Sequence, residues 1–341
     1  MAADRTRSAR AELSAAAHDL FLPSDQRLTD QQRALIGDLL AKLVGAVELL
    51  LLHQVADRLP GTPDLSDTAW PTLEVGGLLR DSALLRLVMQ RAEEHRLSLV
   101  AADAAFDAAG GIGLLDALAR SADAELARRA VAYVVGEARR RDRFREPLLL
   151  ADDLPPTLAY RLYWLVAAAL RAPLRQGGVD AAEVDRALED AVREAMADHS
   201  ESQGSRARAL RLAARLEALG ELSDDFLLKA LEQGHLALFA CGLSVRAGVA
   251  LDLVWQLLAD RGRHSLLAML RGIGAPAASA AAIVELLEAG QPIARSPAAQ
   301  RALLAAYEAI EPSAARRLLA GWRLDPGFRE AIDDLNAETP R

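Results

Sequence analysis

The sequence predicts an all-α fold, a stack of short helices. Three observations carry this. Ala and Leu dominate a chain that is 52% hydrophobic but only 4% aromatic, so residues that favour strands are scarce. Gly, Pro, Ser and Asp recur roughly every dozen to twenty residues, where helices would start or stop. Between them, apolar residues keep the i, i+3, i+4 spacing of a helix face.

The elements follow in order. The first helix is read over about Asp4 to Leu20. The second opens at Thr29-Asp30-Gln31-Gln32, a capping box in which hydroxyl and amide each satisfy an orphan backbone group. It runs through Leu35, Leu39, Leu43, Val47, Leu50 and Leu51 to about Leu59, and Pro60-Gly61 stops it. A loop from Gly61 to Thr68 precedes short helices, with Asp81 capping Ser82 to Arg96. Gly110-Gly111-Ile112-Gly113 breaks the chain before Leu114 to Ala119, and Asp123 to Arg140 forms the next helix. Pro155-Pro156 opens a strong one through Leu170, since Pro suits the first turn. After Gly177-Gly178, Asp180 to Glu183 reads as a second capping box, and His199 to Ser205 as a polar, mobile segment. Helices follow at Ala207 to Leu219, Ser223 to Glu232, Leu236 to Ser244, Val249 to Ala259, Ser265 to Gly272 and Ala277 to Glu288. Ser296-Pro297, Glu311-Pro312 and Asp325-Pro326 open the last three.

Helix pairs spaced by roughly 35–45 residues fit a degenerate HEAT/armadillo-like helical repeat stack, an α-solenoid. One pair cannot bury its apolar stripe alone, so neighbours must stack. The Pro173 to Asp180 segment divides the chain into two lobes: an N-terminal HEAT-like lobe over residues 1–174 and a C-terminal helical lobe over 179–338.

Composition excludes several functions. A chain of 341 residues should bury about 75% of its unfolded surface without staples, and the lone Cys241 leaves no disulfide framework. The expected setting is a reducing bacterial cytoplasm. The N-terminus lacks the apolar run of a secretory signal. The charge-free apolar runs Leu162 to Leu170 and Gly272 to Val284 fall short of the ~20 residues that span a bilayer. A net charge of −8 argues against a general nucleic-acid binder, which needs a cationic face.

Three stretches carry a family likeness: Pro23 to Leu59, Glu146 to Arg171 (EPLLLADDLPPTLAYRLYWLVAAALR) and Gly220 to Val249. Together they resemble a helical, HEAT-like domain of unknown function widespread in alphaproteobacteria. The resemblance implies a domain over nearly the whole chain and supplies no catalytic residues. It also implies more charge in relatives at the positions held here by Leu49 to Leu52, making an interface there specific to this chain.

Candidate chemistry is sparse. None of the six histidines (His18, His53, His95, His199, His235, His264) pairs with another or with Cys241 at ligand spacing, so no metal and no cofactor is expected. Paired acids such as Asp152-Asp153 and Asp224-Asp225 sit at helix starts, where the dipole favours them. Asp103 and Asp107 lie one turn apart, in the manner of a Mg²⁺-holding acid pair, without a matching second cluster. Cys241 lies in an apolar stretch and reads as inert. Gly110 to Gly113 lacks the strand and Lys-Ser/Thr of a phosphate loop.

Three features point to binding. Arg139, Arg140, Arg141, Arg143 and Arg145 form a candidate docking patch for an acidic partner; the bland alternative is a solvated helix end that favours the dipole. Leu49, Leu50, Leu51 and Leu52 make the second helix apolar all round, a candidate self-association surface for a homodimer. Tyr160, Tyr163 and Trp164 share i, i+3, i+4 spacing and are candidate groove aromatics, against plain core packing. The expected function is a non-enzymatic protein-interaction scaffold or regulator. The alternatives are an all-α enzyme or small-ligand binder with an acid- and Arg-lined pocket between helices and, less favoured, a HEAT-like nucleic-acid binder.

Overall fold

The computed structural model describes residues 29–59, 65, 67–105, 113–176, 179–260, 262–288, 297–325, 327–328, 331 and 335. Among them are fifteen α-helices, two short 3-10 turns and no strand. In chain order these are α1 (Asp30–Ala56), α2 (Ala69–Val75), α3 (Ser82–Ala105), α4 (Leu114–Ala119), α5 (Ala124–Arg139), α6 (Pro156–Arg175), α7 (Ala181–Asp198) and α8 (Ser205–Ala218). They continue with α9 (Asp224–Glu232), α10 (Leu236–Ala247), α11 (Leu251–Ala259), α12 (His264–Gly272), α13 (Ala277–Leu287), α14 (Pro297–Ala309) and α15 (Pro312–Trp322). The helix expected over Asp4 to Leu20, the Gly110 to Ile112 break, Asp107 and the Asp103 side chain lie outside the described residues.

The helix starts follow from local chemistry. Thr29 closes its capping box with Gln32 in both directions. Asp81 accepts from the backbone N–H of Ala83 and Leu84, Asp123 from Leu126, Asp180 from Ala182 and Glu183, and Ser223 from Phe226. Each satisfies orphan donors of a first turn. One cap has no local signature. The buried Glu48 on α1 accepts from the N–H of Thr68 and Ala69, holding the start of α2 across twenty residues of sequence.

Helices adjacent in sequence pack as pairs, α4 with α5, α6 with α7, α9 with α10, and α13 with α14, as stacked helices do. The most extensive pairings, though, join helices that are not adjacent: α8 with α10, α12 with α15, and α5 with α8. α3 reaches furthest. It meets α1 near its start and α9, α10 and α13 further along.

Two apolar cores result. One gathers residues from α1, α2, the first half of α3, α6 and α7, including Leu43, Leu51, Val88, Leu162, Leu170 and Val192. The other gathers Leu97 of α3 with α4, α5 and α8 to α15, including Tyr133, Leu212, Phe239, Leu258 and Met269. The cores therefore do not divide at 174/179. α6 and α7 flank that turn and pack against each other in one core, while α4 and α5, from the N-terminal half, belong to the other. Turn residues mark a change of chain direction, which need not be a change of core.

The segment His199 to Ser205 also departs from expectation. It forms a 3-10 turn, Glu201–Gln203, packed on a second one, Ala151–Asp153. Ser205 N–H donates to Asp153 Oδ1 at 2.8 Å, and the His199 ring is buried. Polar composition here serves a hydrogen-bonded junction.

Candidate protein-docking surface

Helix α5 carries the surface that stands out. Its inward face, Leu126, Ala130, Tyr133 and Gly136, repeats every three to four residues and packs on α4 and α8. Gly136 allows a close crossing: a Cβ there would stand 3.0 Å from Arg208 Cδ. Its outward face is also apolar. Val131, Val134 and Val135 are 49%, 41% and 50% exposed, and Ala138 is exposed beside them. Their i, i+3, i+4, i+7 spacing puts them in one stripe. β-branched residues cost helix stability and exposed apolar area is unfavourable, so the fold itself does not account for this stripe.

After α5 the chain makes a tight hairpin. Asp142 N–H donates to Glu146 O at 2.9 Å, Leu148 N–H donates to Arg140 O at 2.8 Å, and Asp142 Oδ1 accepts from the N–H of Phe144 and Glu146. Phe144 at the tip is 70% exposed, with the Arg143 guanidinium 4.7 Å from its ring centre. Lys42 reaches across from α1 and donates to Asp142 at 3.1 Å and Glu146 at 2.5 Å, while also pairing with Asp38. Burial works against its ammonium, but the hydrogen bonds it donates to these three carboxylates outweigh that and raise its pKa. The acids flanking the arginines in sequence are thus engaged by Lys42. Arg128, Arg139, Arg141, Arg143 and Arg145 are exposed and none has an ion-pair partner among the described residues.

Arg140 does not belong to this patch, contrary to the sequence reading. It is 3% exposed, because it falls one turn beyond Gly136 on the inward face. Its Nη1 and Nη2 donate to the two Glu94 oxygens at 2.7 Å each, and Nη1 also donates to Glu137 at 3.0 Å. Arg91 donates through Nε to Leu148 O and through Nη2 to Arg140 O, both at 3.0 Å, and lies 3.3 Å from Glu94. Asp153 lies 3.7 Å from Arg140 Nε and holds the start of α8 through Ser205. Burial would raise the Glu94 pKa, but the charges of Arg140 and Arg91 overcome it and hold the carboxyl at about 2. The only forewarning in the sequence was Arg140 standing seven residues after Tyr133, on the same helical face.

A cleft beside this cluster is lined by Arg91, Glu94, Arg140, Arg206, Cys241 and Trp255. It is narrow, with room for about one or two water molecules. Cys241 is buried, and burial pushes its thiol pKa up, away from the reactive thiolate.

The other two candidate sets divide the same way. Leu51 is fully buried in the core and Leu52 packs against that core, so only Leu49 (62%) and Leu50 (38%) face outward. Tyr163 is buried beside Leu162 and Val166, leaving Tyr160 and Trp164 in contact, ring centres 6.0 Å apart and edge-on. Trp164 is itself partly buried against the core, and only Tyr160 projects. Among the described residues no cluster of His, Cys, Asp and Glu could hold a metal ion. No single helix there is long and apolar enough to cross a membrane; α10 and α11 together have the length and composition, but bend by 119° and lie in the core.

Residues 68–320 match a family described as an uncharacterised protein conserved in bacteria (DUF2336). The chain belongs to that family. The DUF2336 match takes in α2 through most of α15, and with them the α5 surface, the hairpin and the buried ionic cluster. It starts after α1, so the likeness seen in Pro23 to Leu59 and the outward Leu49 and Leu50 fall outside it. No curated protein and no solved structure matches the chain.

Proposed function

We propose that this chain is a non-enzymatic protein-interaction scaffold or regulator of the bacterial cytoplasm, a HEAT-like stack that docks a protein partner on α5 and the hairpin after it. One observation carries the reading: an outward valine stripe, bordered by five arginines that have no ion-pair partner among the described residues. Interfaces join an apolar centre to a polar rim and favour Arg and aromatics, and Phe144 supplies the aromatic.

The buried ionic cluster favours this over an enzyme. Acids and arginines scattered in sequence do converge there, but they bond to one another and to backbone carbonyls, and the cleft beside them is narrow. A catalytic carboxylate needs substrate within hydrogen-bond reach.

The test is affinity capture of the tagged chain from its native cytoplasm, beside a variant with Arg141, Arg143 and Arg145 changed to Glu. A stoichiometric partner lost in the variant is expected. Capture unaffected by the reversal would sink the reading.

A further inference from the structure

We infer that the partner element received by this surface is an acidic amphipathic helix. The inference rests on the docking reading above and adds the chemistry of what docks. The receiving surface has the geometry of helix-on-helix recognition. Val131, Val134, Val135 and Ala138 form a straight stripe about two turns long, which an i, i+3, i+4, i+7 stripe on a second helix would match. A flat or extended segment would leave part of a convex helix face uncovered.

The charge is one-sided. Arg128 stands at one end of the stripe and Arg139, Arg141, Arg143 and Arg145 at the other, so the ends are about 16 Å apart at 1.5 Å per residue. The local acids are occupied: Asp142 and Glu146 by Lys42, Glu137 by Arg140 and Ser205, and Glu125 by Arg129. A partner carrying carboxylates at matching positions would neutralise the arginines, which no described residue does. The apolar centre separates this from a nucleic-acid site, where phosphates rather than methyl groups would meet the middle of the surface.

The experiment measures fluorescence anisotropy of a labelled synthetic peptide of about eighteen residues, with leucines at i, i+3, i+4 and i+7 and glutamates on the rim, denser at one end. A scrambled peptide of the same composition and a short DNA duplex are the comparisons. The patterned peptide is expected to bind at least about tenfold tighter than the scrambled one, and to weaken by about tenfold in Val135→Asp and in Arg143→Glu. Raising the salt should weaken it further. All these positions are exposed; Val134→Gln replaces Val135→Asp if the latter fails to fold. Equal binding of the scrambled peptide overturns the inference. So does arginine-dependent binding of the duplex with none of the peptide. If a captured partner is lost on Val135→Asp while the patterned peptide fails to bind, the docking reading stands and the acidic helix falls. If neither capture nor peptide responds to Val135→Asp, both fall.

Discussion

Arg140 grips Glu94 through two parallel hydrogen bonds of 2.7 Å, both side chains buried, where α3 passes from one apolar core to the other. A bidentate guanidinium–carboxylate pair fixes both distance and orientation, so the pair ties the C-terminal end of α5 to α3. Removing one partner strands the other charge without water. Arg140→Ala should therefore cost about 3–5 kcal/mol, read from the urea midpoint. The double variant Glu94→Leu with Arg140→Met should recover much of that, since a buried pair often exchanges for apolar residues at little loss. Additive losses in the double variant would refute the coupling.

The same pair gives the fold an acid-sensitive element. The folded Glu94 carboxyl titrates at about 2 against an ordinary value of 4.5. A depressed carboxyl contributes stability that is present above its unfolded pKa and lost as pH falls through the folded one. The denaturant midpoint should drop between pH 4.5 and 2, and Glu94→Gln should flatten that part of the profile. An unchanged slope in the variant would assign the acid sensitivity elsewhere.

Neighbouring leucines on α1 should respond oppositely to truncation. Leu51 is fully buried, so Leu51→Ala should cost about 2–5 kcal/mol. Leu49→Ala, at a position 62% exposed, should stay within about 0.5 kcal/mol for the monomer. The exposed Leu49 and Leu50 keep self-association open as a proposal with its own test. Light scattering at tens of micromolar should show a dimer that Leu50→Glu dissociates without unfolding; a monomer throughout would discard it.

At Gly204 the backbone of the 199–205 segment presses on the turn at Ala151–Asp153. A Cβ there would lie 2.5 Å from Asp152 O and 3.1 Å from Glu201 O. Gly204→Ala must shift backbone rather than a side-chain tip, and should cost about 1–3 kcal/mol in thermal or urea unfolding. A neutral result would mean that the junction gives easily.

Much of the fold was legible because helix starts are local. Thr29, Asp123 and Ser223 act within three residues of themselves, and a chain read one turn at a time reveals them. The α5 stripe was legible in the same sense, since its spacing is in the sequence. What concealed it was that valines read equally as core. Only the placement of α4 and α8 on the opposite face turned Val131, Val134 and Val135 outward.

The sequence by itself determined that the chain is helical, where most helices begin, and that arginines concentrate after residue 138, because capping and periodicity act over a few residues. Tertiary packing decided the rest. It buried Arg140 against Glu94, forty-six residues away, and left Arg139, Arg141, Arg143 and Arg145 in water. It brought Lys42 onto Asp142 and Glu146, a hundred or more positions along the chain, and so left the neighbouring arginines without an ion pair among the described residues. Charge acts through space rather than along the chain, and which charges are free depends on which helices the apolar cores draw together.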